Sequence, residues 1–86
     1  MHNFNSSLKQ LRRKYFTKQT VLAETCSCTT AYISWLENGK RIPSPKMVLK
    51  LSVAFKEAAA TTNEIRILVR SARDLIADQR FAGLNF

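Results

Sequence analysis

Residues 18–41 read KQTVLAETCSCTTAYISWLENGKR, and their spacing decides the fold. From about Lys18 to Thr25 the apolar residues Val21, Leu22 and Cys26 fall at helical steps, and Thr17 stands where a cap belongs. A brief turn follows around Ser27 and Cys28. Thr29 then caps a second short helix with Ile33 and Leu36 inward. Asn38-Gly39 stops it, because glycine takes the left-handed conformation that a helix end needs. For two such helices to cross steeply over one core, Leu22, Cys26, Cys28, Ile33 and Leu36 must point inward, and Ala23 must be small where the backbones approach. All six positions comply.

Working outward, Phe4, Leu8, Leu11 and Tyr15 recur at three- and four-residue steps, and Ser7 with Gln10 fits a capping box. This predicts a first helix over about 6–15, with Lys9, Arg12, Arg13 and Lys14 on its other face. Beyond the stop, 40–44 is a loop, and Ser44-Pro45 opens a fourth helix with the cap first and proline at the first helical position. Val48, Leu49, Leu51, Ser52 and Phe55 carry that helix. Thr61 and Glu64 form another capping box, which opens a longer fifth helix with Ile65, Leu68, Val69, Ala72, Leu75 and Ile76 in one apolar stripe, followed by a short tail, 81–86. No strand-like alternation is present, so the reading is all-α with five helices. It divides into a helix-turn-helix part, 1–60, and a C-terminal helix and tail, 61–86, suited to dimerisation.

Length and charge narrow the function. Eighty-six residues make one domain, with 45% hydrophobic residues and two each of Gly and Pro, the composition of a folded chain. No apolar run approaches the ~20 residues of a membrane span, and no basic leader precedes an apolar one, so the expected location is the cytoplasm. Cys26 and Cys28, with His2 as the only histidine, make neither a disulfide framework nor a complete metal set, so no metal and no cofactor is expected. No pair of titratable groups or phosphate-cradling Gly-rich loop suggests an enzyme. The net charge is +8. Residues 1–56 hold ten Lys or Arg against Glu24 and Glu37, whereas 57–86 balance four Arg against four acids. A basic part joined to a neutral one suits a polyanion on one side and a different task on the other.

The stretch resembles the helix-turn-helix of the Cro and lambda-repressor family. The likeness rests on Gln19, Leu22-Ala23-Glu24, Ile33-Ser34 and Leu36-Glu37-Asn38-Gly39-Lys40-Arg41, followed by Pro43-Ser44, and covers about 6–56. The resemblance implies a lambda-repressor-like fold in which the second helix of the pair lies in the DNA major groove. Its outward residues are Thr29, Thr30, Ala31, Ser34 and Trp35, able to meet base edges and thymine methyl groups. None is Arg, Gln or Asn, so readout leans on apolar contacts and DNA shape. An outward Trp is also, and more often, an interface residue. Lys18, Gln19, Lys40, Arg41 and Lys46 are placed to grip phosphates. Arg12 and Glu37 match an ion pair joining the first helix to the end of the third, structural in role and, if exposed, worth at most ~1 kcal/mol. Ser27 stands where the family usually has glycine, which implies a strained turn.

The expected function is therefore a sequence-specific double-stranded DNA-binding regulator, a repressor of phage or mobile-element type. It would act as a homodimer on a near-palindromic operator and join its copies through Ile65, Leu68, Val69, Ala72, Leu75 and Ile76. With no room for a sensing domain, control would come from concentration, dimerisation, a protein partner or an anti-repressor. Two alternatives stay open. One is the antitoxin of a toxin–antitoxin pair, holding its toxin with the last helix and Phe81, Leu84 and Phe86. The other is a protein-interaction adaptor using Tyr32 and Trp35.

Overall fold

The computed structural model describes the backbone of residues 3–83 and the side chains of 3–79. Five helices follow one another: α1 Phe4–Tyr15, α2 Gln19–Thr25, α3 Thr30–Glu37, α4 Pro45–Glu57 and α5 Thr62–Gly83. No strand occurs among the described residues. Helix α3 packs on α1 and α2, and α5 packs on α1 and α4. Leu8, Leu22, Ile33, Leu36, Leu51, Phe55, Leu68 and Ala72 are almost wholly buried at the centre. Phe55 receives Tyr15 and Phe16 edge-on, at ring separations of 6.4 and 5.4 Å.

The helix ends show which local signals operate. Thr29 caps α3 by accepting from the Tyr32 N–H, and Ser44 caps α4 by accepting from the Met47 N–H with Pro45 behind it. At α5 the capping box closes in both directions: the Thr61 N–H donates to Glu64 Oε1 at 2.9 Å and the Glu64 N–H to Thr61 Oγ1 at 3.1 Å. Glu64 also accepts from Lys14 Nζ at 2.8 Å and from the Tyr15 hydroxyl, tying the start of α5 to the end of α1. The Lys14 and Tyr15 hydrogen bonds hold its carboxyl at about 2, well below the usual range. Gly39, at φ 73°, ends α3 where a Cβ would meet Asn5 Nδ2 at 2.6 Å. The left-handed φ is what favours glycine there, since the Asn5 amide is the far end of a flexible side chain and can swing aside.

Four local expectations are corrected. Helix α1 starts at Phe4, and its cap is Asn3, which accepts from the Ser6 N–H at 2.8 Å. Ser7, expected to open a capping box with Gln10, lies buried inside the helix, because seating Phe4 in the core winds the chain one turn earlier. Thr17 does not cap α2; it sits at φ 66°, and its N–H bonds the Arg12 carbonyl, so it closes α1 instead. Lys18 occupies the α2 cap position without a side-chain bond. Val21 and Leu49, both expected inside, are 43% and 65% exposed. Helix α2 faces the core with Leu22 and Ala23, and α4 with Met47, Leu51, Ala54 and Phe55. Finally, α5 continues to Gly83, past the expected start of the tail at Phe81. The Phe81 side chain, Leu84 and Phe86 lie outside the described residues.

Candidate nucleic-acid interface

Helices α2 and α3 owe their fixed relation to a turn and a buried ion pair. In the turn, the Ser27 N–H donates to the Glu24 carbonyl at 3.1 Å and the Cys28 N–H to the Ala23 carbonyl at 2.9 Å. Closing it puts Ser27 at φ 54°. Left-handed backbone costs an L-residue ~1–2 kcal/mol, so this turn carries strain that glycine would lack. Cys26 is buried beneath it, and burial, helped by Cys28 nearby, pushes its thiol up to about 11. Such a thiol is neutral and inert at ordinary pH.

The ion pair joins three helices. Arg12, from α1, donates through Nε and Nη2 to the two Glu37 oxygens, both at 2.8 Å, and through Nη1 to the Thr17 carbonyl at 2.8 Å. Gln19, from α2, donates its amide to Glu37 Oε1 at 3.2 Å. Both charged residues are buried, so the exposed-pair magnitude does not apply. Burial alone would raise the Glu37 carboxyl, but the hydrogen bonds from Arg12 and then Gln19, with the Arg12 and Lys9 charges, outweigh it and hold the pKa below its usual value. The bond to Glu37 raises the Arg12 guanidinium in turn. Glu37 is the last residue of α3, so the pair fixes that helix against the other two.

With Ile33, Leu36 and Glu37 inward, α3 turns its remaining side outward. Thr29, Ala31 and Trp35 are exposed, and Thr30 and Ser34 are half-buried. The Thr29 hydroxyl oxygen is engaged as the cap, leaving its O–H free to donate. Ser34 Oγ accepts from Asn38 Nδ2 at 3.2 Å. Tyr32 leans half-buried against the core. Around this face, Lys18 stands exposed before α2, and Lys40, Arg41 and Lys46 stand exposed after α3. Gln19 differs from these four, since one amide hydrogen is held inward by Glu37.

One pairing escaped the sequence reading. The Arg41 guanidinium lies over the Trp35 ring, 5.2 Å from its centroid, and the Trp35 carbonyl accepts from the Lys40 and Arg41 N–H groups at 2.8 and 3.3 Å. The spacing of six residues matches no helical rule, and the contact exists because the chain doubles back at Gly39. Of the α5 stripe, Leu68 and Ala72 lie in the core, Ile65 and Leu75 pack against it, and Val69 and Ile76 are half-buried. Among the described residues no helix is long and apolar enough to cross a membrane.

No curated protein and no solved structure matches the chain. The family comparison does find a match: the helix-turn-helix family model fits residues 8–59, which span α2, α3 and the ion pair and cover more than half of the chain. The chain belongs to the Cro/C1-type helix-turn-helix family of double-stranded DNA-binding transcription regulators.

Proposed function

We propose that this protein is a repressor that binds a near-palindromic operator as a homodimer, with α3 in the major groove. The observation that carries the reading is the outer face of α3, which is free of the core and flanked by Lys18 on one side and Lys40, Arg41 and Lys46 on the other. Thr29, Thr30, Ala31, Ser34 and Trp35 meet base edges, through hydroxyl hydrogen bonds and contact with thymine methyl groups. The four basic side chains and the free amide hydrogen of Gln19 hold the phosphates. The protein works in the cytoplasm, where the DNA is.

Four phosphates neutralised by Lys or Arg imply a log–log salt slope of about −3.6 per copy, to which the uncharged Gln19 amide does not add. The dimer contact falls on the later part of α5, at Leu75, because Leu68 and Ala72 already serve the monomer's core and Val69 and Ile76 wall the groove beside α4. A two-fold pairing there sets two copies of α3 against successive major grooves.

Selection of bound duplexes from a random pool near physiological salt tests the reading. An inverted repeat supports it. Folded protein that returns no consensus overturns it.

A further inference from the structure

The neutral charge of residues 57–86 conceals an uneven arrangement. Between α4 and α5 runs an apolar groove of about 610 Å³, walled by Val48, Leu49 and Ser52 on one side and Val69, Arg73 and Ile76 on the other. Leu49 is 65% exposed at its edge, and Val53, one turn on, is 48% exposed. At ~100° per residue, Arg66, Arg70 and Arg73 fall within about 60° of one another on α5, on the same side as Val69. All three are exposed, and none pairs with a carboxylate among the described residues, although Asp74 follows Arg70 by four. Lys56 is exposed two turns after Leu49, which at ~100° per residue puts it on Leu49's side of α4. No groove residue belongs to α2, α3 or the loop that carries Lys40 and Arg41.

An apolar channel with Arg73 in its wall, and with Arg66 and Arg70 on the same side of α5, selects its occupant. A second copy would bring the same arginine row against this one, since a two-fold contact sets like against like. A nucleic acid offers no apolar surface for Leu49, Val69 and Ile76. What satisfies both features is a helix with an apolar stripe and carboxylates beside it. Val69 to Ile76 spans ~10 Å of helix, about two turns of a partner, which calls for apolar anchors at i, i+4 and i+7.

We propose that the α4–α5 groove docks an acidic amphipathic helix of another protein, giving the regulator an input surface separate from its DNA face. The apolar side of that helix covers Val48, Leu49 and Val69, and its carboxylates meet Arg66, Arg73 and Lys56. The proposal does not depend on which operator the protein reads, and its test uses no DNA.

The probe is a labelled 18-residue peptide with Leu at i, i+4 and i+7 and Glu beside them, compared with a scramble of the same composition and with a version carrying Lys for Glu. Binding to the full chain is followed by fluorescence anisotropy and by amide NMR shifts. The amphipathic acidic peptide is expected to bind at least tenfold tighter than the scramble and to shift Val48, Leu49, Val69 and Arg73. Leu49→Glu, at an exposed site that leaves the core intact, is expected to lose at least tenfold. Arg66→Glu with Arg73→Glu is expected to turn the preference toward the Lys peptide. Equal binding of the scramble, which is charge attraction alone, overturns the proposal, as does the absence of saturable binding. Shifts centred on 30–41 overturn it by showing a DNA mimic. A change in sedimentation from dimer to monomer in Leu49→Glu overturns it by giving the groove to a second copy.

Discussion

Replacing Arg12 with Met keeps the alkyl stem and removes the guanidinium, which isolates one interaction in a buried site. Glu37, whose side chain is 1% exposed, then loses two hydrogen bonds of 2.8 Å and keeps only the 3.2 Å bond from Gln19. The Thr17 carbonyl loses its donor as well. A buried charge stripped of its partner costs ~3–5 kcal/mol, whereas a domain of this size holds on the order of 4–13 kcal/mol in all. At ~4–8 °C per kcal/mol the melting temperature falls by on the order of 20 °C. Thermal and urea unfolding followed by circular dichroism measure the loss.

The pH dependence supplies a second, independent sign. In the native protein the Glu37 pKa lies below its usual value, so its contribution is present above the unfolded carboxylate pKa and fades as pH falls through the folded one. Without Arg12, burial dominates and the folded pKa rises above the unfolded one. The variant is then penalised at neutral pH and relieved as pH falls, the reverse of the parent. Adding Glu37→Leu removes the orphaned charge and restores most of the stability. A loss under ~1 kcal/mol in Arg12→Met, the range of an exposed pair, or an unchanged pH profile would refute the reasoning.

Three further outcomes are expected. Ser27→Gly relieves the left-handed strain at φ 54° without removing a side-chain hydrogen bond, and raises stability by ~0.5–1 kcal/mol after the entropy cost of glycine; a lower melting temperature would show the turn to be unstrained. Thr30→Glu sets a carboxylate on the outer face of α3, so specific DNA binding is lost while helical content and melting temperature stay close to the parent's; retained affinity would disprove the docking face. Glu64→Gln removes a carboxyl held at about 2 by Lys14 and Tyr15, a contribution present above the unfolded carboxylate pKa and lost as pH falls toward 2. Thermal melts across that window should therefore be flatter for the variant than for the parent.

What the sequence revealed, and what it hid, follows from the range of each interaction. Caps at Thr29, Ser44 and Thr61 and the stop at Gly39 were legible because each works within three residues of its own position. Thr17 misled for the same reason: a threonine before a helix looks like a cap, and only the Arg12 carbonyl reaching its N–H shows that it closes the helix behind it. The burial of the Arg12–Glu37 pair, 25 residues apart, and the stacking of Arg41 on Trp35 depend on how helices meet, which periodicity does not encode. Leu49 is the instructive error. Periodicity marks every apolar position on a helix, but Met47, Leu51, Ala54 and Phe55 already fill the core side of α4, so Leu49 is left outside with Val53. An apolar residue that the core has no room for has either no role or one at a surface. Its place here, at the lip of a groove edged by Arg73, argues for the second.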